Sequence, residues 1–180
     1  MTSFIIKSHV DRPISSWSKD KSCPFCRIIE KKAPSYTVYE NDMVVAFLDI
    51  MPLRRGHTLV IPKTHCSRIS DLTPEYAAAV GQAVSKIANA LTKALGNTGL
   101  NIVCNQEYAQ AVLHVHYHII PAPVFDGSGS VEAPSAKSQV STREEPPKTI
   151  RQMHQMEFES RNDLDEEEAV LLVNEIKARL

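Results

Sequence analysis

His114-Val115-His116-Tyr117-His118-Ile119-Ile120-Pro121 places three histidines at alternate positions, followed by two β-branched residues and a proline. Side chains alternate faces along a strand, so the spacing predicts His114, His116 and His118 on one face, with Val115 and Tyr117 on the other. Neighbouring histidines would then stand about 6.6 Å apart, two residues at a rise of about 3.3 Å each. That is too far for direct pairing of all three rings. It suits a row in which each imidazole meets a different part of one extended ligand. Imidazole, with an unperturbed pKa of about 6.5, is a fair nucleophile at neutral pH. Attack on phosphorus would split one displacement into two easier ones, while a neighbouring histidine donates a proton to the leaving group or holds phosphate oxygens. The alternative is a surface strand with chance histidines, or a metal-binding patch. Three of the chain's seven histidines within five residues, flanked by Ala111-Val112-Leu113 and Ile119-Ile120-Pro121, argue against chance.

Working outward, Val112–Pro121 reads as one strand, preceded by a second at Leu100–Cys104. The clearest local signal is a long amphipathic helix over 73–95. Thr73 stands at its cap and Pro74 at its first position, Glu75 complements the helix dipole, and Gly96 closes it. Its apolar positions Ala77, Val80, Val84, Ile87, Leu91 and Leu95 recur at helical spacing. Upstream, Tyr36–Tyr39 and Val44–Leu48 form a hairpin-like pair of strands around Glu40-Asn41-Asp42. Asp49–Gly56 is a loop, and His57–Ile61 is a β-branched strand stopped by Pro62. A short helix fits Cys26–Lys32, before Pro34. Residues 126–149 are rich in Gly, Ser, Pro and charge, and a second helix begins at Asp163. Leu164, Ala169, Leu172, Val173 and Ile176 form its stripe, and its early acids suit a solvated first turn. The organisation expected is an arm over 1–21, a domain over 22–125, a mobile linker over 126–160 and a C-terminal helix over 161–180. The fold class is α+β: an antiparallel sheet of about five strands with the long helix packed on one face.

A chain of 180 residues with 43% hydrophobic content can hold one domain with a real core. The net charge of −1 gives no global field for a nucleic acid polymer or an anionic membrane. No apolar run approaches the roughly 20 residues of a membrane span, and Ser3–Ile6 is too short for a signal-peptide core. The expectation is a soluble cytoplasmic protein, with the nucleus as a second compartment. Four cysteines do not suggest a disulfide framework.

The run HVHYHII, with Gly56–His65, Ala46–Ile50 and Cys23-Pro24-Phe25-Cys26 upstream of it, resembles the histidine triad family over roughly residues 22–123. The resemblance implies that His116 is the covalent nucleophile at the α-phosphate of a nucleotidyl substrate, with a purine nucleotide as ligand. His118 would touch the phosphate or the leaving group, and Asp49 would accept hydrogen bonds from the ribose hydroxyls. Phe47 and Ile50 would line the base pocket. Asn105 and Gln110 would contact phosphate, Gln110 also orienting the transferred group as part of the catalytic set. His57 is either a buried histidine supporting the others or a core histidine with satisfied hydrogen bonds. The resemblance also implies a homodimer, and the apolar C-terminal helix is expected to cover the partner subunit.

One stretch departs from the family's pattern. The loop before the triad commonly holds glycines and a terminal hydroxyl, whereas this chain has Asn105-Gln106-Glu107-Tyr108-Ala109-Gln110-Ala111. The backbone amides that would cradle phosphate are therefore expected to be arranged differently.

Cys23 and Cys26 admit three readings. A redox C-P-x-C motif follows a hydrophobic strand, and Trp17–Ser22 is no such strand. A tetrahedral zinc site needs two further ligands. The resemblance points to His65 and His114, which gives a structural Zn2+ on Cys23, Cys26, His65 and His114 and removes His114 from acid–base work. The third reading is a pair of free thiols. For function, cleavage of nucleoside phosphoramidates or adenylates through a nucleotidyl-histidine intermediate leads. A dinucleoside polyphosphate hydrolase is the enzymatic alternative, and a nucleotide-binding interaction protein the non-enzymatic one.

Overall fold

Val44–Leu48 (β2) and Thr58–Pro62 (β3) are buried at every position, the pattern of strands covered on both faces. Alternate residues divide between two apolar clusters. Val44, Ala46, Leu48 and Val60 join the main core, whereas Val45, Phe47, Leu59 and Ile61 pack with Cys23 and Phe25 on the opposite face.

The computed structural model describes residues 23–123 and 161–180. The arm expected over 1–21 and the linker expected over 126–160 lie outside the described residues. Besides β2 and β3, the elements are Pro24–Ile29 (α1), Thr37–Glu40 (β1), a 3-10 turn at Ile69–Asp71, Pro74–Leu95 (α2), Leu100–Cys104 (β4), Tyr117–Pro121 (β5) and Glu166–Lys177 (α3). The strands form one five-stranded sheet in the order β1-β2-β3-β5-β4, each neighbouring pair antiparallel. The α+β fold read from the sequence is the fold observed.

Helix α2 buries Val80, Ala83, Val84, Ile87, Ala90 and Leu91 against the main core, and Gly96 ends it in the left-handed conformation. Ala77, read as part of the stripe, is exposed. The Thr73 side chain does not cap the helix amides. Glu75's own backbone N–H, and then the Thr73 hydroxyl, hold the Glu75 carboxyl below the usual carboxylate range. Helix α1 starts two residues earlier than expected because Pro24 takes the first helical position. It ends at Ile29, ahead of the left-handed Lys31.

Helix α3 begins at Glu166, with Asp165 as its cap, accepting from the Glu168 N–H at 2.9 Å. Ala169, Leu172, Val173 and Ile176 are buried as expected. They pack into this chain's own core, against α2 and β1. Arg55 ties the same helix to the loop before β3 through Glu168 (3.0 Å) and Glu175 (3.6 Å).

The expected strand over Val112–Pro121 is shorter than read: only Tyr117–Pro121 pairs. Its partner β4 ends at Cys104, opposite Tyr117. Before that point the backbone turns on itself, with the His114 N–H donating to Val112 O (2.8 Å) and the Val115 N–H to Cys66 O (2.7 Å). The three histidines therefore do not form a row at strand spacing.

Candidate active site

The consequence of that turn is a division of labour. His114 is fully buried, and its Nε2–H donates to Pro62 O at 2.8 Å. Nδ1 is thereby left as the lone pair, 3.6 Å from Cys23 Sγ and 3.7 Å from Cys26 Sγ. His65 Nδ1 lies 3.2 Å from Cys26 Sγ. The four donor atoms lie within 4.8 Å of one another. Tetrahedral zinc with bonds of about 2.0–2.3 Å has ligand-to-ligand edges of about 3.3–3.8 Å, so the set fits such an ion in both chemistry and spacing. Burial and the neighbouring Cys23 push the Cys26 thiol up to about 11, and burial pushes His114 down to about 4.

His116 makes the complementary choice of nitrogen. Its Nδ1–H donates to the His114 carbonyl at 2.6 Å, so the lone pair sits on Nε2. Burial pushes its pKa down, opposed by the hydrogen bond to His114 O. The ring is neutral at pH 7, with an unprotonated nitrogen to offer. The His116 and His118 rings are 4.8 Å apart between centroids, well inside the spacing of a regular strand.

His118 is oriented from behind. The Leu53 N–H donates to His57 Nδ1 at 3.1 Å, which puts the His57 proton on Nε2. That nitrogen lies 2.9 Å from His118 Nδ1, so His118 accepts there and carries its own proton on Nε2. Burial lowers His57 to about 3 and His118 to about 4. Asp49 Oδ2 lies 3.5 Å from His57 Nδ1, but this is not an ion pair, because that nitrogen is a neutral acceptor. Asp49, His57 and His118 also cluster as possible metal donors, but both His57 nitrogens are already engaged, Nδ1 by the Leu53 amide and Nε2 by His118.

Asp49 follows β2, its N–H donating to His57 O and its Oδ1 receiving the Met51 N–H, both at 2.9 Å. Burial pushes its carboxyl up, while the Met51 amide and the Arg161 charge push it down. Phe47 is buried on the face of β2 that carries Cys23 and Phe25, and Ile50 is 66% exposed beside Asp49. Asn105 follows Cys104, one residue beyond the pair that β4 makes with Tyr117. Gln110 is buried with its amide engaged at both ends, Nε2–H donating to Ser67 O and Oε1 receiving the Glu107 N–H, each at 2.8 Å. It shapes the loop backbone.

Two contributors were not picked out from the sequence. Phe25 stands edge-on to His116 (5.3 Å), Phe47 (5.6 Å) and His114 (5.9 Å), packing α1 against the reactive segment. Its position between the two cysteines was the available signal. Arg161 comes from the C-terminal segment, and no spacing in the sequence connects it with Asp49.

A HIT domain model matches residues 30–123, more than half of the chain. The chain belongs to the HIT, or histidine triad, family. It is 38% identical over 113 residues to an adenylylsulfatase of Arabidopsis thaliana, covering 62% of this chain and 57% of that protein. It is 40% identical over 104 residues to an adenosine 5'-monophosphoramidase of Schizosaccharomyces pombe, covering 57% and 75%. The fold superposes on a Zn-bound histidine triad family protein from Mycobacterium smegmatis with a TM-score of 0.62, at 32% identity over 87% of this chain and 94% of that one. Among the described residues no helix is long and apolar enough to cross a membrane.

Proposed function

We propose that the chain is a hydrolase or transferase of nucleotides that cleaves nucleoside phosphoramidates or adenylates through a nucleotidyl-His116 intermediate. The observation that carries this reading is the His116 tautomer: Nδ1–H on the His114 carbonyl, Nε2 bare in a ring kept neutral by burial. The Nε2 lone pair forms the bond to the α-phosphorus as the bond to the leaving group breaks, its electron pair departing with that group. Positive charge then develops on the imidazole, and the Nδ1–H bond to His114 O strengthens against it. His118 Nε2–H, fixed by His57, holds a phosphoryl oxygen. Water next attacks phosphorus, the N–P pair returns to Nε2, and the proton lost by water ends on the departed group. Asp49 accepts the ribose hydroxyls, Phe47 and Ile50 flank the base, and Asn105 faces phosphate. The relatives named adenylylsulfatase and adenosine 5'-monophosphoramidase support an adenylyl substrate.

Zinc would be held by Cys23, Cys26, His65 Nδ1 and His114 Nδ1, and supplies a structural tie between α1 and the reactive segment. The Zn-bound relative supports this. A homodimer is part of the reading, supported by the edge position of β4 and by its Ile102, 46% exposed. Light scattering that gives a 20 kDa particle would contradict it.

The test compares wild type with His116→Ala on adenosine phosphoramidate, adenylyl sulfate, diadenosine polyphosphates and guanosine analogues, with mass spectrometry of acid-quenched wild type. The expected result is turnover of the first two, a nucleotidyl adduct on His116, and no turnover by the variant. Unchanged turnover in His116→Ala refutes the nucleophile, and no turnover of any compound by wild type refutes the enzyme.

A further inference from the structure

The C-terminal segment lies beyond residues 30–123, which carry the family match, yet it reaches the candidate site. The Leu164 N–H donates to Ile50 O at 2.9 Å, one residue from Asp49. Asp165 then caps α3, which buries four apolar side chains in the core. Arg55, from the loop that begins at Asp49, holds Glu168 and Glu175 of the same helix. A backbone hydrogen bond, a helix cap, a packed apolar face and two ion pairs thus fix Leu164 and the helix after it beside the loop 49–56. Arg161, partly buried, stands three residues before Leu164, and its charge acts on both Asp49 and His57.

We propose that Arg161 is a positioning residue for Asp49, and that the C-terminal segment is thereby part of the wall that recognises ribose. This rests on the reading in which Asp49 accepts the ribose hydroxyls. The Asp49 side chain is only 17% exposed, and a carboxylate withdrawn from water needs compensation to keep its charge. Its own loop supplies one amide, from Met51. His57 turns a lone pair toward it, which offers no proton. Arg161 is the cation that acts on it among the described residues, and it arrives from outside the family's matched region. The Arg161 charge favours the ionised carboxylate against its burial, and an ionised acceptor makes the stronger hydrogen bonds to hydroxyls.

The experiment measures binding of AMP and of 2',3'-dideoxy-AMP by titration calorimetry to the full chain and to Arg161→Gln, Arg161→Lys, Asp49→Asn and the Asp49→Asn/Arg161→Gln double variant. Wild type should prefer AMP by about tenfold or more. Arg161→Gln should weaken AMP by about tenfold and leave dideoxy-AMP unchanged, Arg161→Lys should restore most of the preference, and the double variant should bind no more weakly than Asp49→Asn alone. Unchanged AMP affinity in Arg161→Gln, or equal weakening of both ligands as a merely structural role would give, overturns the proposal. So does wild type that does not distinguish the two ligands. Ribose discrimination through Arg161 without turnover of any compound sinks the enzymatic reading and leaves this one standing; turnover without ribose discrimination does the reverse.

Discussion

His57 Nε2 and His118 Nδ1 stand 2.9 Å apart, and the Leu53 amide behind His57 decides which of them donates. One backbone N–H thereby sets the tautomer of a ring two hydrogen bonds away, so that His118 presents N–H and not a lone pair beyond the sheet. Removing His57 releases that choice. His57→Ala should lower kcat by about tenfold, or about 1.4 kcal/mol, with KM little changed. The His118 ring nitrogens should then show a mixed tautomer population by 15N NMR. An unmixed Nε2–H tautomer in the variant would mean that something else orients the ring.

What the sequence made legible follows from how local each signal is. Val44–Leu48 is apolar throughout and could only be a buried strand, and Pro74 and Gly96 bound α2 by backbone preferences that travel with the residue. The triad's strand was overread because periodicity is silent on where a partner strand stops. β4 ends at Cys104, and Val115 spends its amide on Cys66 O, a contact 49 positions away in the chain. His114 and His116 were separable in role only through the resemblance, since the carbonyls of Pro62 and His114 choose their tautomers. Arg161 was illegible for the same reason: its place depends on a long-range bond from Leu164 to Ile50.

The buried histidines make stability depend on pH in a definite direction. His57 and His118 have folded pKa values of about 3 and 4, against about 6.5 when unfolded. Below about pH 6.5 the unfolded chain takes up protons that the folded chain refuses, so stability falls as pH drops toward about 4 and is level above about 7. Urea midpoints from pH 4.5 to 8 should show this decline, and it should be shallower in His57→Gln. A flat profile would contradict the buried neutral state.

Zinc on Cys23, Cys26, His65 and His114 makes a stoichiometric prediction. Freshly purified protein should contain about one zinc per chain, and a chelator should lower the thermal midpoint, because binding to the folded state alone stabilises it. His65→Ala should lose the metal while His116 remains in place, separating the metal's contribution from that of the nucleophile. Less than about half a zinc per chain, with both thiols intact, would overturn the assignment.

The loop before the triad lacks the family's glycines, but it keeps a backbone that glycine would favour: Glu107 and Ala109 have φ of 59° and 56°. An L-residue in this region costs about 1–2 kcal/mol. At Glu107 the conformation is supported by the ion pair to Arg68 and by the bond from its amide to Gln110 Oε1; the methyl group of Ala109 has no polar atom with which to do the same. Ala109→Gly should therefore relieve strain at a cost of only about 0.4–1 kcal/mol of extra chain freedom when unfolded, raising the thermal midpoint by up to about 4 °C. Glu107→Gly relieves the same strain but removes the partner of Arg68, so its midpoint should rise less or fall. The order of the two variants carries the argument: if Glu107→Gly is the more stable, the carboxylate was no support, and Arg68 is free to serve the ligand instead of the loop.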